Sequence, residues 1–99
     1  MAEYPLEVFK RIDPEFLKHV ENTRDFALAD GALPKKFKLL IAMALDAAAG
    51  TVDGVKSLAQ AAMKAGASKE ELTEALRVAQ YICGVGSTYV AGRALKELL

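Results

Sequence analysis

The chain has 99 residues, which is enough for a single domain, 1–99, and leaves no room for a second core. Thirteen basic residues cancel thirteen acidic ones, so no net field recruits nucleic acid or an anionic membrane. The lone cysteine, Cys83, excludes an intrachain disulfide and fits a reducing, cytoplasmic setting.

Hydrophobic residues make up 53% of the chain. A domain this small cannot hide them all, so part of the apolar surface is expected to face another subunit. The longest unbroken apolar run, Leu39 to Leu45, ends at Asp46 and is too short to span a bilayer. With Glu3 and Glu7 and no long apolar stretch, the N-terminal segment does not read as a signal peptide. Strand-like alternation is absent, and Gly and Pro divide the chain into helices.

Pro5 to Arg11 predicts a short first helix. Asp13-Pro14 is an N-cap followed by proline at the first helical position, where the missing N–H costs nothing. That helix runs to about Ala29, and Asp30-Gly31 breaks it. Pro34 opens the next, in which Lys35, Lys36 and Lys38 read as a solvated first turn rather than a phosphate site. Leu39 to Leu45 is apolar on every side, which predicts a central helix buried all round and ended by Gly50. Asp53 is expected to cap the following helix. Its stripe of Val55, Leu58, Ala59, Ala62 and Met63 is followed by a stop at Gly66. Ser68-Lys69-Glu70-Glu71 is a capping box. It opens a helix with a stripe of Leu72, Ala75, Leu76, Ala79 and Cys83. Gly84-Val85-Gly86 is a bend, and a last helix starts near Ser87. The two helices flanking Gly66 are expected to pair as an antiparallel hairpin. The sum is an all-α bundle of five or six helices.

Few residues in this pattern carry chemistry. Asp46 interrupts an apolar helix, and a buried carboxylate must be paired or shifted in pKa; it reads either as a pocket acid or base, or as one half of an ion pair at a subunit interface. Cys83 reads as a buried small hydrophobe or as a pocket thiol. His19 is the single histidine and is expected on an exposed helix face. No His/Cys/Asp cluster has ligand spacing, so no metal is expected, and no other cofactor. Tyr89 and Arg93 stand four apart and share a face, which serves a pocket or a contact; Tyr81 belongs to the same pair of helices.

The order of signals is also informative. Asp30-Gly31-Ala32-Leu33-Pro34-Lys35-Lys36 leads into an apolar helix. Ala61-Ala62-Met63-Lys64-Ala65-Gly66-Ala67 closes the next, and Ser68-Lys69-Glu70-Glu71-Leu72-Thr73-Glu74-Ala75-Leu76 opens another. From about Asp13 to Leu95 the chain resembles the carboxymuconolactone decarboxylase family, which includes the alkylhydroperoxidase D-like proteins. The resemblance implies an alkylhydroperoxidase D-like helical bundle around a helical hairpin, assembled as a homotrimer or homohexamer. The peroxidase branch of that family carries Cys-x-x-Cys-x-x-x-His and an upstream Glu. In register on Ala65-Gly66, those positions hold Thr51, Gly54 and Leu58, with the Glu position on or next to Leu39. All four functional residues are absent, and one sulfhydryl cannot run a dithiol cycle. Tyr81-Ile82-Cys83-Gly84-Val85-Gly86 resembles a segment of the decarboxylase branch, whose histidines near Asp53 and Leu58 are missing here.

The resemblance therefore implies a protein acting on a small carboxylated or lactone substrate without dithiol peroxidase chemistry. Its catalytic candidates are Asp46, Asp53, Lys56 and Cys83. Asp53 and Lys56 read either as groups that hold a substrate carboxylate or as a cap and a solvated lysine. Tyr81, Tyr89 and Arg93 lean to the subunit interface, since the last helices serve assembly in related proteins. The alternative function is a non-catalytic oligomeric binding or scaffold protein that kept the fold and lost the site.

Overall fold

A computed structural model describes residues 4–99. It contains six helices in the order α1 (Phe9–Ile12), α2 (Pro14–Leu28), α3 (Lys35–Ala49), α4 (Val52–Lys64), α5 (Lys69–Cys83) and α6 (Gly86–Leu95), with no strand among the described residues. The start and stop signals act much as their chemistry demands. Asp13 accepts a hydrogen bond from the Phe16 N–H at 3.0 Å, with Pro14 in the first turn of α2. Ser68 and Glu71 form a complete capping box. The Glu71 N–H donates to Ser68 Oγ at 3.0 Å, and the Ser68 N–H donates to Glu71 Oε1 at 2.9 Å.

Gly50 sets the central reversal. Its φ of 84° lies in the left-handed region, which a side chain would strain. The Thr51 N–H donates to the Asp46 carbonyl at 2.9 Å and the Gly50 N–H to the Ala47 carbonyl at 3.3 Å. These are the two bonds of a Schellman closure, and they turn the chain back so that α4 runs antiparallel to α3. Gly66 ends α4 with the same pair of bonds, from Ala67 to Ala62 and from Gly66 to Met63.

The core is the seam between α3 and α4, closed at one side by α5 and at the other by α6. Leu39, Met43 and Ala47 of α3 meet Val55, Ala59 and Ala62 of α4. Leu72 of α5 and Ala91, Ala94 and Leu95 of α6 complete the cluster. Three expectations are corrected here. The hairpin is formed by α3 and α4, and the helices flanking Gly66, α4 and α5, barely touch; α5 packs instead on α3 and α6. α3 is not buried all round, since Ile41 is 50% and Leu45 66% exposed. The first helix is a single turn, Phe9–Ile12, preceded by turns from Pro5 to Val8.

α1 and α2 stand somewhat apart. They pair through an edge-to-face contact of Phe9 and Phe16, with ring centroids 5.3 Å apart, and through Tyr4, whose hydroxyl donates to Glu21 at 2.7 Å. Only Leu17 of α2 is buried. Of the lysines opening α3, Lys35 is solvated as expected, but Lys36 and Lys38 are not. Lys36 bridges to Glu71 at 3.0 Å and lies over the Phe37 ring, while Lys38 donates to the Ala29 carbonyl at the end of α2. These bonds tie the start of α3 to both α5 and α2.

Glu71 sits where both devices meet. The Ser68 N–H, and after it Lys36, hold its carboxyl below the usual glutamate range. A depressed folded-state pKa contributes stability that is present above the unfolded value and is lost as pH falls through the folded one. Acid titration of stability should therefore show a limb below the ordinary glutamate range that Glu71→Gln flattens, read by urea unfolding across pH. An unchanged limb in the variant would remove Glu71 from this role.

Candidate functional site

α3 and α4 bring the redox-motif positions into one place. Gly54 lies one turn into α4, opposite the last turn of α3. A Cβ on residue 54 would stand 2.9 Å from Asp46 Cγ and 2.9 Å from Thr51 Cγ2, and closer still to Asp46 Oδ2. The Asp46 carboxylate thus fills the space that a side chain at position 54 would take. Asp46 is half-buried, and its carboxylate accepts no hydrogen bond or ion pair from the described residues. It is also not a fully enclosed group, since no polar side-chain atom is both sealed from solvent and unpartnered.

Leu39 and Leu58 face one another further along the seam. They form part of the floor of an open cleft of 560 Å³ between the C-terminal end of α2 and the α3–α4 pair. The polar groups around this cleft are Arg24, Asp25, Lys35 and Ser57. Arg24, Asp25 and Ser57 did not stand out in the sequence, and Lys35 was read there as part of a solvated turn, because the four come from three helices and form no motif.

The other sequence candidates are spread out. Asp53 is exposed and does not cap α4. The N-cap is Thr51, because the Schellman closure at Gly50 ends on that residue. Asp53 sits in the first turn, where its charge complements the helix dipole. Lys56 is not simply solvated, as it pairs with Glu97 beyond α6. That pair holds Glu97 below its ordinary range, chiefly through the hydrogen bond from Lys56. Thr51 is exposed, and so is His19, as its helix position implied. Cys83 is exposed rather than buried. It lies at the end of an apolar groove of 560 Å³ between α3 and α5, whose walls include Phe37, Ile41, Leu45, Val78 and Ile82. That groove is on a different face of α3 from Asp46, so the structure separates Cys83 from the other three candidates. Tyr89 and Arg93 share a surface depression on α6, with both Tyr81 and Tyr89 exposed.

The carboxymuconolactone decarboxylase family profile matches residues 14–97. The chain belongs to the carboxymuconolactone decarboxylase family. A solved apo structure of a carboxymuconolactone decarboxylase family protein from Legionella pneumophila superposes with a TM-score of 0.86 at 37% identity. The match covers 92% of this chain and 81% of that one. Curated protein sequences give no match. In this chain residue 54 has room for glycine alone while Asp46 and Thr51 hold their places.

The constraint is measurable. Replacing a helical glycine by alanine ordinarily stabilises by about 0.5–1 kcal/mol. In an Asp46→Ala background Gly54→Ala should recover part of that gain, the Thr51 methyl being the close contact left to give way. In the native background the gain should vanish or reverse, because the carboxylate must swing away. A double-mutant cycle by urea unfolding reads the coupling, and simple additivity would refute the contact.

Proposed function

We propose that this protein acts on a small carboxylated or lactone substrate, as a homotrimer or homohexamer, without dithiol peroxidase chemistry. The observation that carries the reading is the Asp46 carboxylate seated over Gly54. The place a second redox cysteine needs is occupied by a carboxylate, and Cys83 is the chain's one thiol. The family's peroxidase cycle requires two thiols in that segment. What stands there instead is the carboxyl group of Asp46.

Acid–base chemistry suits a decarboxylating family. When a carboxylated lactone loses CO2, the breaking C–C bond leaves an electron pair on carbon, and a proton must replace the departed group. Asp46, half-buried and unpaired, is placed to pass a proton from solvent to that carbon. Asp53 is exposed in the first turn of α4 and Lys56 is engaged by Glu97, so neither is assigned a part in the proton step. Cys83, on the far groove, belongs to the apolar face rather than to this chemistry.

Self-assembly is supported by the amount of surface. The chain exposes 6923 Å², where a monomeric protein of 10.6 kDa exposes about 5,500 Å². Its radius of gyration is 14.1 Å, against about 12.6 Å for a compact chain of this length. The excess is of the size that one subunit buries in a stable interface. Ile41, Leu45, Val78 and Ile82 stand exposed side by side along the α3–α5 groove, which makes that groove the leading contact surface. No helix among the described residues is long and apolar enough to cross a membrane, so a bilayer-spanning role does not account for them.

Two experiments test the reading. Asp46→Asn should lower turnover of carboxylated lactones by about 10²–10⁴-fold with melting temperature and assembly retained, whereas Cys83→Ser should leave turnover intact. Undiminished turnover in Asp46→Asn, or thiol-dependent hydroperoxide reduction abolished by Cys83→Ser, would overturn it. Leu45→Glu should convert the assembly to monomers in sedimentation, and an intact assembly in that variant would move the interface elsewhere.

A further inference from the structure

We propose that the cleft between the C-terminal end of α2 and the α3–α4 pair is a binding site for the carboxylate of a small molecule with an apolar body. The inference rests on the small-molecule reading above and adds the site and its selectivity. The cleft holds 560 Å³, inside the range of about 300–1,000 Å³ usual for small-ligand sites. Its floor is apolar, formed by Leu28, Leu39, Leu58 and Ala61. Leu39 and Leu58 are the positions where proton carriers would stand in the family's redox motif, so the floor has traded polar chemistry for apolar contact.

The rim carries the charge. Asp25 is already engaged by Arg24, whose Nε and Nη2 donate to Asp25 Oδ1 at 3.2 and 3.1 Å. The guanidinium keeps further N–H donors beyond those two. Lys35 uses its backbone N–H to bind Asp30 Oδ1 at 2.6 Å, while its ammonium makes no ion pair with any described residue. One positive charge is therefore uncompensated beside an apolar floor. A carboxylate is the small group that answers a lysine ammonium, a guanidinium edge and a serine hydroxyl together. The α3–α5 groove has no comparable charge on its walls, so the two surfaces differ in what they take.

Lys35, Leu39 and Asp46 are spaced i, i+4, i+11 and share one side of α3. Gly54, Ser57, Leu58 and Ala61 are spaced i, i+3, i+4, i+7 and share the facing side of α4. Asp46 lies about 10 Å beyond Leu39 along the α3 axis. The cleft lining ends at Leu39 on α3 and at Ser57 and Leu58 on α4, and Asp46 and Gly54 lie further along the same pair of helices, outside it.

The test is titration of the full-length protein with benzoate, and with benzamide as the uncharged control, followed by methyl NMR. Benzoate should shift the methyls of Leu28, Leu39 and Leu58 in a saturable way, and benzamide should not. Lys35→Gln should weaken benzoate binding about tenfold. Ser57→Asp, an exposed position that tolerates the change, should abolish the shifts by placing a like charge in the cleft. Equal binding of benzamide, unchanged binding in both variants, or shifts confined to Ile41, Leu45 and Val78 would each overturn the proposal. The readout does not depend on turnover. Absent cleft shifts with Asp46-dependent turnover intact refute the cleft and spare the chemistry, while cleft binding without turnover does the reverse.

Discussion

Everything in this molecule hangs on the packing of α3 against α4. Leu39, Met43 and Ala47 supply bulk from one side, while Ala59 and Ala62 keep the other side low enough for the helices to approach closely. The left-handed Gly50 and its Schellman closure fix the antiparallel direction and the register. Once that register is set, Asp46 must stand opposite Gly54, and Leu39 opposite Leu58. α5 and α6 then cover part of what remains exposed of α3 and α4 respectively. The chemistry proposed for this protein is thus a property of one seam between two helices rather than of a loop or a motif.

The boundaries of these helices were readable because caps and stops are local chemistry. Asp13-Pro14, Ser68 to Glu71, Gly50 and Gly66 each act through atoms within a few residues of themselves. What α4 and α5 pack against was not readable. Each carries an apolar stripe, but a stripe states only that something covers it. The short link at Gly66 suggested that the two cover each other, and in fact both turn toward other helices. The misplaced cap has a similar origin. Asp53 is a good capping residue by type, but the closure at Gly50 ends on Thr51 and leaves Asp53 already inside the helix.

α3 shows the same limit differently. Seven apolar residues in a row imply burial on all sides, and the inference is sound for a helix in the middle of a large core. Four helices of 10 to 15 residues cannot enclose a fifteen-residue helix completely. The side bearing Ile41 and Leu45 is left open in the single chain, and Cys83 is exposed because it lies at the end of that same open face. The pairing of Asp46 with Gly54 was half visible. A glycine inside an otherwise regular helix costs about 1 kcal/mol and usually has a packing reason. Finding which side chain it accommodates required the fold, since the two residues lie on opposite sides of a reversal. Arg24 and Ser57 gave no signal and Lys35 only that of a solvated turn, because three separate helices each contribute one residue.

The two surfaces of α3 divide its duties. One face, with Ile41 and Leu45, carries apolar groups suited to a second copy; another, with Lys35, Leu39 and Asp46, addresses α4 and the charged cleft. A partner seated on the first face therefore does not compete with a ligand in the second. It does hold the helix on which both Lys35 and Asp46 ride. Because α2 is only lightly attached to α3, the cleft wall that carries Arg24 is the least constrained part of the site. The α3–α4 seam, by contrast, is among the most constrained parts of the molecule. The proposed ligand cleft thus has one wall fixed by the seam and one held to it only lightly.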